Sequence, residues 1–447
     1  MLAGMSAVRA QEVAAADQAS TARTATTDTA DAPVETPTST EQGQTLIDES
    51  FGRLSNAELR RERRREAFRD TKFNAELRSL CMDSDNINGT QNEACALGGS
   101  AGFKTGYFSD LFAFGATGYT SQRLYGPADK DGTLLLAPGQ HGYTVLGEAY
   151  AAILLSERVQ GTVGLKSYDT PYINSNDSRM TPNAFEAAVV QGSAGAGEDA
   201  PAWRFGAGYM DKIKERNSDE FVSMATAAGA PAGVARGVYV AGANYTHGDF
   251  SLGGVDYYSD DIINIGYIEA KGTVTLTDHL RLRVAAQYAN QRDVGDDLLV
   301  GHGFSANQEG FKVEFGYDGA LVTTACTHTS GGTTMYSPWG GYPGYTSVQI
   351  ENFDRGGEEA WMLRAAYNLR VVKNLSAYAL YVHGSTPDVA KQYAQDEYDL
   401  NLQWKAVDGK LNGLTLRARF GHVSQASAGD PQTNQLRLIL YYDPPGL

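Results

Sequence analysis

From about residue 71 to the end of the chain, apolar and polar side chains alternate with a period of two, and full charges sit in the middle of the polar rows. In 281–289, Arg281, Arg283, Ala285 and Gln287 alternate with Leu282, Val284, Ala286 and Tyr288. In 361–369, Trp361, Leu363, Ala365, Tyr367 and Leu369 alternate with Met362, Arg364, Ala366 and Asn368. The same pattern sets Tyr398, Leu400, Leu402 and Trp404 against Glu397, Asp399, Asn401, Gln403 and Lys405. It recurs with Leu414, Leu416, Ala418 and Phe420 against Thr415, Arg417 and Arg419, and with Leu436, Leu438, Leu440 and Tyr442 against Arg437, Ile439 and Tyr441. A strand points successive side chains to opposite faces. Each run is therefore a strand with one apolar and one polar face. A soluble sandwich alternates too. Mid-strand charges, and apolar faces that end in Tyr, Trp or Phe, favour a membrane barrel with aromatic girdles and a polar interior. In lipid every backbone donor and acceptor must be paired, so such strands must close on themselves. About 380 residues at ~21 per strand give about 18 strands, enough to enclose an aqueous lumen. Turn chemistry is plentiful: Asp318-Gly319, Asp408-Gly409, Asn412-Gly413 and Pro445-Gly446.

Composition removes other classes. The longest apolar run is Ala149 to Leu155, far short of the ~20 residues a membrane helix needs. Lys and Arg total 37 against 53 Asp and Glu, a net charge of −16, and no basic domain emerges to bind nucleic acid. Three widely spaced Cys and seven His without paired spacing give no metal site, and no cofactor is expected.

The first ten residues, MLAGMSAVRA, read as the remnant of a secretion signal, with Val8-Arg9-Ala10 before Gln11 as a loose cleavage pattern. Residues 11–50 form an acidic tail without an aromatic residue, expected to be disordered because it cannot bury enough apolar surface to offset its ordering entropy. Residues 51–70 are expected to form a short basic periplasmic helix. It opens on the capping box Ser55-Asn56-Ala57-Glu58 and carries Arg60, Arg61, Arg63, Arg64, Arg65 and Arg69. Pairing with Glu62 and Glu66 on a solvated face, or contact with anionic lipid headgroups, would each account for the arginines. Residues 71–447 are the barrel.

Several stretches resemble one family. Asn176–Glu186 (NDSRMTPNAFE) resembles a characteristic stretch of the OprD family of outer-membrane porins. So do GAGYMDKIKERNSDEFVSM from Gly206 to Met224, QRDVGDDLL from Gln291, SPWGGYPGYT from Ser337, FDRGGEEAW from Phe353 and LTLRAR from Leu414, in the family's order. The resemblance implies an 18-stranded, substrate-selective channel in the bacterial outer membrane for small carboxylate-bearing nutrients. Its partners would be outer-membrane lipid, small carboxylate solutes and the barrel-assembly machinery, with a monomeric or weakly trimeric state. The chain departs from the family at Ala187, where Gly is usual, and at Tyr209 or Met210, where a basic residue is usual.

The resemblance also implies that the segment Tyr168–Phe185 is a third extracellular loop folded inward, with Asp177, Ser178 and Arg179 lining an eyelet. It places Arg78 and the arginines of LTLRAR, Arg417 and Arg419, in a basic ladder. The alternation adds Arg281, Arg283, Arg364, Lys405 and Arg437 to the polar faces, together with Lys166. An Arg facing lipid at mid-membrane costs ~2–4 kcal/mol, so these side chains are expected in the lumen. There they would meet carboxylates or pair with lumen acids. Asp354 and Glu358, in the seventh-loop region, would face a cationic or hydroxyl end of the solute.

Cys81 and Cys95 flank the polar stretch Met82–Ala94, expected as the loop of the first hairpin. An exported chain permits a disulfide between them, leaving Cys326 free; the alternative is three free thiols. Gly98-Gly99-Ser100-Ala101-Gly102 matches G-x-S-x-G, but a strand-like stretch follows it where a nucleophile elbow needs a helix. Asp83, Asp85 and Asn88 precede Gly89, yet Ile87 occupies a calcium-ligand position. Two other readings compete with the porin. One is an outer-membrane enzyme barrel of the lipase or protease kind, for which no catalytic triad can be assembled. The other is a secreted soluble β-rich adhesin.

Overall fold

The computed structural model describes residues 70–445 apart from 109–110, 196–201, 278, 371 and 428. The expected signal remnant at 1–10, acidic tail at 11–50 and basic helix at 51–70 lie outside the described residues, Asp70 excepted.

Eighteen long strands make up the sheet. In chain order they are β1 (Lys72–Asp85), β2 (Gln91–Lys104), β3 (Phe112–Tyr125), β4 (Tyr143–Ser156), β5 (Val159–Lys166) and β6 (Ala184–Ala194). They continue with β7 (Ala202–Lys214), β8 (Val238–His247), β9 (Phe250–Ser259), β10 (Ile263–Thr277), β11 (Leu280–Arg292) and β12 (Ser305–Tyr317). The last are β13 (Ala320–Thr329), β14 (Glu359–Leu369), β15 (Leu375–Gly384), β16 (Gln395–Lys405), β17 (Leu414–Gln425) and β18 (Gln432–Tyr442). Each is antiparallel to its neighbours, and β1 pairs with β18 from Leu77↔Tyr442 to Asp85↔Asn434, closing the barrel. A two-residue strand, Val222–Ser223, pairs with the end of β7 and leads into the one-turn helix α1 (Met224–Ala228).

The alternation read from the sequence is the division between outside and inside. Leu363, Leu400, Leu402, Leu416, Leu436 and Leu438 are exposed, whereas Arg364, Asp399, Asn401, Arg417, Arg419 and Arg437 are buried. Outward aromatics cluster at both ends. Trp203 and Tyr245 stack at 5.0 Å at one rim. Trp361, Tyr381 and Tyr398 form a chain at 5.1 and 4.7 Å toward the other. Amphipathic rings gather at membrane–water interfaces for this reason.

The two ends differ in their connections. One end has tight turns such as 157–158, 248–249 and 318–319, where Asp318 and Gly319 both take positive φ, 43° and 80°, as a type I′ hairpin requires. The other end carries 126–142, 167–183, 215–237, 293–304 and 330–358, the long loops that face the exterior in outer-membrane barrels. These include the third loop (167–183), the fourth (215–237) and the seventh (330–358). The third and most of the seventh are buried among other residues, so both fold into the barrel.

The first hairpin differs from the sequence expectation. Residues 82–85 and 91–94 continue the strands, so the loop is 86–90 and not the whole of 82–94. Cys81 and Cys95 are register partners, with Cα atoms 4.0 Å apart, and are disulfide-bonded. Cys81 shares its parity with exposed Leu77 and not with buried Arg78 and Leu80, so the bridge lies on the outer face. Cys326 is a free, exposed thiol. The G-x-S-x-G stretch lies inside β2, a continuous strand with no strand-to-helix turn.

Mass spectrometry without reductant is expected to recover a Cys81–Cys95 cross-linked peptide. Closing a loop of about 15 residues is worth ~3 kcal/mol on the chain-entropy argument. Cys81→Ser should therefore lower the denaturant midpoint of the purified barrel by a corresponding amount, and an unchanged midpoint would show that the bridge adds nothing.

Candidate functional site: inward loops and an arginine wall

The inward face of β1 carries Arg78, which is 3% exposed. Its guanidinium takes the Asp177 carboxylate in a two-point clamp, at 2.5 and 3.0 Å, and donates to the Arg179 carbonyl at 2.6 Å. Glu76 sits 2.8 Å from the same guanidinium, and the Tyr441 ring lies 4.8 Å beneath it. The third loop is thereby pinned to the wall. Its other side is held by Arg216, at the start of the fourth loop, which donates to Asn176 Oδ1 at 2.9 Å and to Ser178 Oγ at 2.5 Å. Lys214 Nζ reaches Thr181 Oγ1 at 2.9 Å. Arg179 donates through Nε to the Thr133 carbonyl at 2.8 Å. Burial, then the nearby positive charge of Arg419, pulls its guanidinium down to about 9, still charged at neutral pH.

Arginines cover the adjoining wall. Arg419 on β17 is the register partner of Arg437 on β18, and Arg417 lies two residues along β17. Arg417 donates to Asn401 Oδ1 at 2.5 Å, and Arg419 to the Tyr378 hydroxyl at 3.3 Å. Arg437 donates to the Gln349 carbonyl at 3.0 Å and to Gln435. Arg364 on β14 rests over the Tyr378 ring at 4.4 Å. Arg78, Arg364, Arg417, Arg419 and Arg437 thus share one arc of the barrel, beside the third loop.

The other expected cations lie elsewhere. Lys405 ends β16 and is exposed at the rim of the short turns. Arg281 is exposed near the same rim, and Arg283, half-exposed, pairs across the strands with Glu314 at 3.3 Å. Lys166, at the end of β5, sits between the Tyr150 and Tyr168 rings at 5.7 and 5.2 Å. Glu358 is fully buried and paired with Arg355 at 2.5 Å, so its charge closes the base of the seventh loop instead of facing a solute. Asp354 stands nearby. Burial first, and then the Glu358 and Glu351 carboxylates, push it up to about 8.

The seventh loop has anchors that the sequence reading did not single out. Glu397 accepts the backbone N–H groups of Ile350 and Glu351 at 2.7 and 2.8 Å, and Asp399 accepts that of Gln349 at 3.1 Å. Both acids stand on the polar parity of 397–405, so their inward direction was visible although their partner was not. Lys214 and Arg216 likewise sit in the Lys212, Lys214, Arg216 alternation of a stretch quoted above.

The barrel fold itself has known relatives. A family profile described as outer membrane porin, OprD family, matches residues 66–445. No curated protein matches the chain. Among solved structures, OccK9 (OpdG) of Pseudomonas aeruginosa is 21% identical, covers 85% of this chain and 99% of its own, and superposes with a TM-score of 0.74. OccAB3 of Acinetobacter baumannii is 18% identical, with 84% and 100% covered and a TM-score of 0.75. OpdK of Pseudomonas aeruginosa is 19% identical, with 85% and 100% covered and a TM-score of 0.70. At these identities the structures speak for the fold, while the profile spans the whole barrel: the chain belongs to the OprD family of outer-membrane porins and is a substrate-specific channel of the outer membrane.

Proposed function

We propose that this porin passes small carboxylate-bearing solutes, drawn along the wall formed by Arg78, Arg417, Arg419, Arg437 and Arg364 and narrowed by the third loop at Asp177, Ser178 and Arg179. One observation carries the reading: Arg419 and Arg437 are direct cross-strand partners on the inward parity, with Arg417 one step along the same face. Facing like charges destabilise a sheet pair, and an anion bound between them would relieve that cost. Guanidinium matches a carboxylate in two-point geometry and stays charged when buried. Steps of about 7 Å, two residues of strand rise, let an anion pass from one group to the next. Each contact must attract and still release. The similar OpdK was crystallised with vanillate, an aromatic carboxylate. Arg281, Arg283, Lys166 and Lys405 belong to the approaches to this wall. Insertion by the barrel-assembly machinery and a monomeric or loosely trimeric state accompany the reading.

Three measurements test it. Replacing both Arg417 and Arg419 by Ala should lower uptake of labelled benzoate-class and amino-acid carboxylates and shift the reversal potential in a salt gradient toward cations. The variant should keep its heat-modifiable migration, because both changes lie on the inner face. A folded variant with parental uptake and potential would remove these arginines from the path.

Asp177→Asn should act in the opposite direction. Losing the carboxylate that neutralises Arg78 leaves an additional positive charge beside the third loop, so anion preference should rise. Raising the pH from 7 to 9 carries Asp354 through its raised value of about 8. The carboxyl is protonated below that and charged above it, so anion preference should fall over this window. Asp354→Asn should abolish the step.

A further inference from the structure

The two inward loops meet around the side chain of Asn174. Asn174 of the third loop is 4% exposed. Its Oδ1 accepts the Gly341 N–H at 2.8 Å, and its Nδ2 donates to the Gly341 carbonyl at 3.0 Å. The amide thus reads both polar groups of a single residue in the seventh loop, as a neighbouring strand would. The backbone extends the contact: Ile173 forms a parallel bridge with Trp339, and Asn174 N–H donates to the Trp339 carbonyl at 3.4 Å. The Trp339 indole donates in turn to the Met224 carbonyl of the fourth loop at 2.9 Å. Tyr172 and Tyr342 flank the contact, with ring centres 6.1 Å apart. Gly340 leaves the room it needs, since a Cβ there would lie 2.6 Å from Asn174 Cγ and Oδ1.

We infer that Asn174 is a positioning residue that latches the third loop to the seventh, so that loss of this one amide widens the constriction. This rests on the constriction of the proposed channel but not on which charge it prefers. The third loop is pinned to β1 through Asp177 and the seventh to β16 through Glu397 and Asp399. Each pin fixes one end of a loop against the wall. The Asn174–Gly341 contact crosses between the two loops with two side-chain hydrogen bonds to one peptide unit. It gives the SPWGGYPGYT stretch a job: to present a bare peptide unit, without a side chain, to that amide.

The test measures size, not charge. Asn174→Ala should raise single-channel conductance, on the order of twofold where a constriction limits flow, and admit larger neutral sugars in proteoliposome swelling. Heat-modifiable migration should be retained. Gly340→Ala, which pushes on the same amide from the other side, should have the same effect. In the Asn174→Ala background it should add nothing, because the atoms it strikes are gone. A folded Asn174→Ala variant with parental conductance and size limit overturns the inference. Where Asn174→Ala does not assemble, Gly340→Ala decides in the same way. If neither assembles, the contact is a folding requirement and the latch role is wrong. Loss of anion preference in the parent channel would defeat the carboxylate reading and leave these size measurements unaffected.

Discussion

The pairing of β1 with β18 is the constraint on which the rest depends. An open sheet in hydrocarbon would leave a row of backbone N–H and C=O groups without partners, at several kcal/mol each. Closure removes both edges, and it also fixes parity around the ring. Once Arg78 on β1 points inward, the register Arg78↔Tyr441 turns Tyr441 and Arg437 inward on β18. The register Arg419↔Arg437 then does the same for Arg417 and Arg419 on β17. A slip of one residue anywhere would send a row of guanidiniums into lipid. The charged rows that stand out in the sequence hold the register as well as furnish the lumen.

A polar interior has two tasks, and different residues carry them. Some charges are consumed by structure. Asp177 is taken up by Arg78, Glu358 is closed by Arg355, and Glu397 and Asp399 collect the backbone donors of the seventh loop. A loop that turns into a barrel brings peptide groups that need partners, and lumen carboxylates supply them in charge-assisted form. Other charges are held by neutral oxygens, as Arg417 is by Asn401. Those contacts leave the guanidinium charge without a compensating negative charge of their own.

How far the sequence reveals this depends on whether the determinant is local. Parity is local: Leu363 beside Arg364, or Leu416 beside Arg417, needs no partner to be read, and about eighteen strands follow from the spacing. Partners across strands are not local. Arg283 and Arg417 sit in the same kind of alternation, yet Glu314 faces Arg283 across the ladder while Gln403 is the register partner of Arg417. Only the register separates the two. Glu358 looked open because its partner Arg355 lies three residues away in a loop with no period to read. The sequence around Cys81 and Cys95 suggests a wider loop than the structure has, because Asp83, Ser84, Asp85, Gln91, Asn92 and Glu93 are polar, and a polar strand end resembles a loop. The inward fold of the third loop was legible only through the family resemblance.

The charge of the whole chain then finds its place. The outer loops concentrate acids such as Asp260, Asp261, Asp293, Asp296 and Asp297, in a chain of net charge −16. Taken alone, such a surface would repel a carboxylate. Exposed charges are screened beyond a Debye length of about 8 Å at physiological salt, and part of this surface is neutralised locally. Arg236 bonds to Asp261 at 2.9 Å and holds that carboxyl below its ordinary range. Inside the barrel the balance differs. Low-dielectric walls focus the field of a few buried guanidiniums, and mobile counter-ions have little room to screen it. On the proposed carboxylate reading, a small anion at the mouth meets a weak repulsion that decays within a few ångströms, and deeper in it meets an unscreened attraction. The net charge of the chain is thus a poor guide to the sign of the solute; on the proposed reading, the side chains on the inward parity beside the third loop decide it.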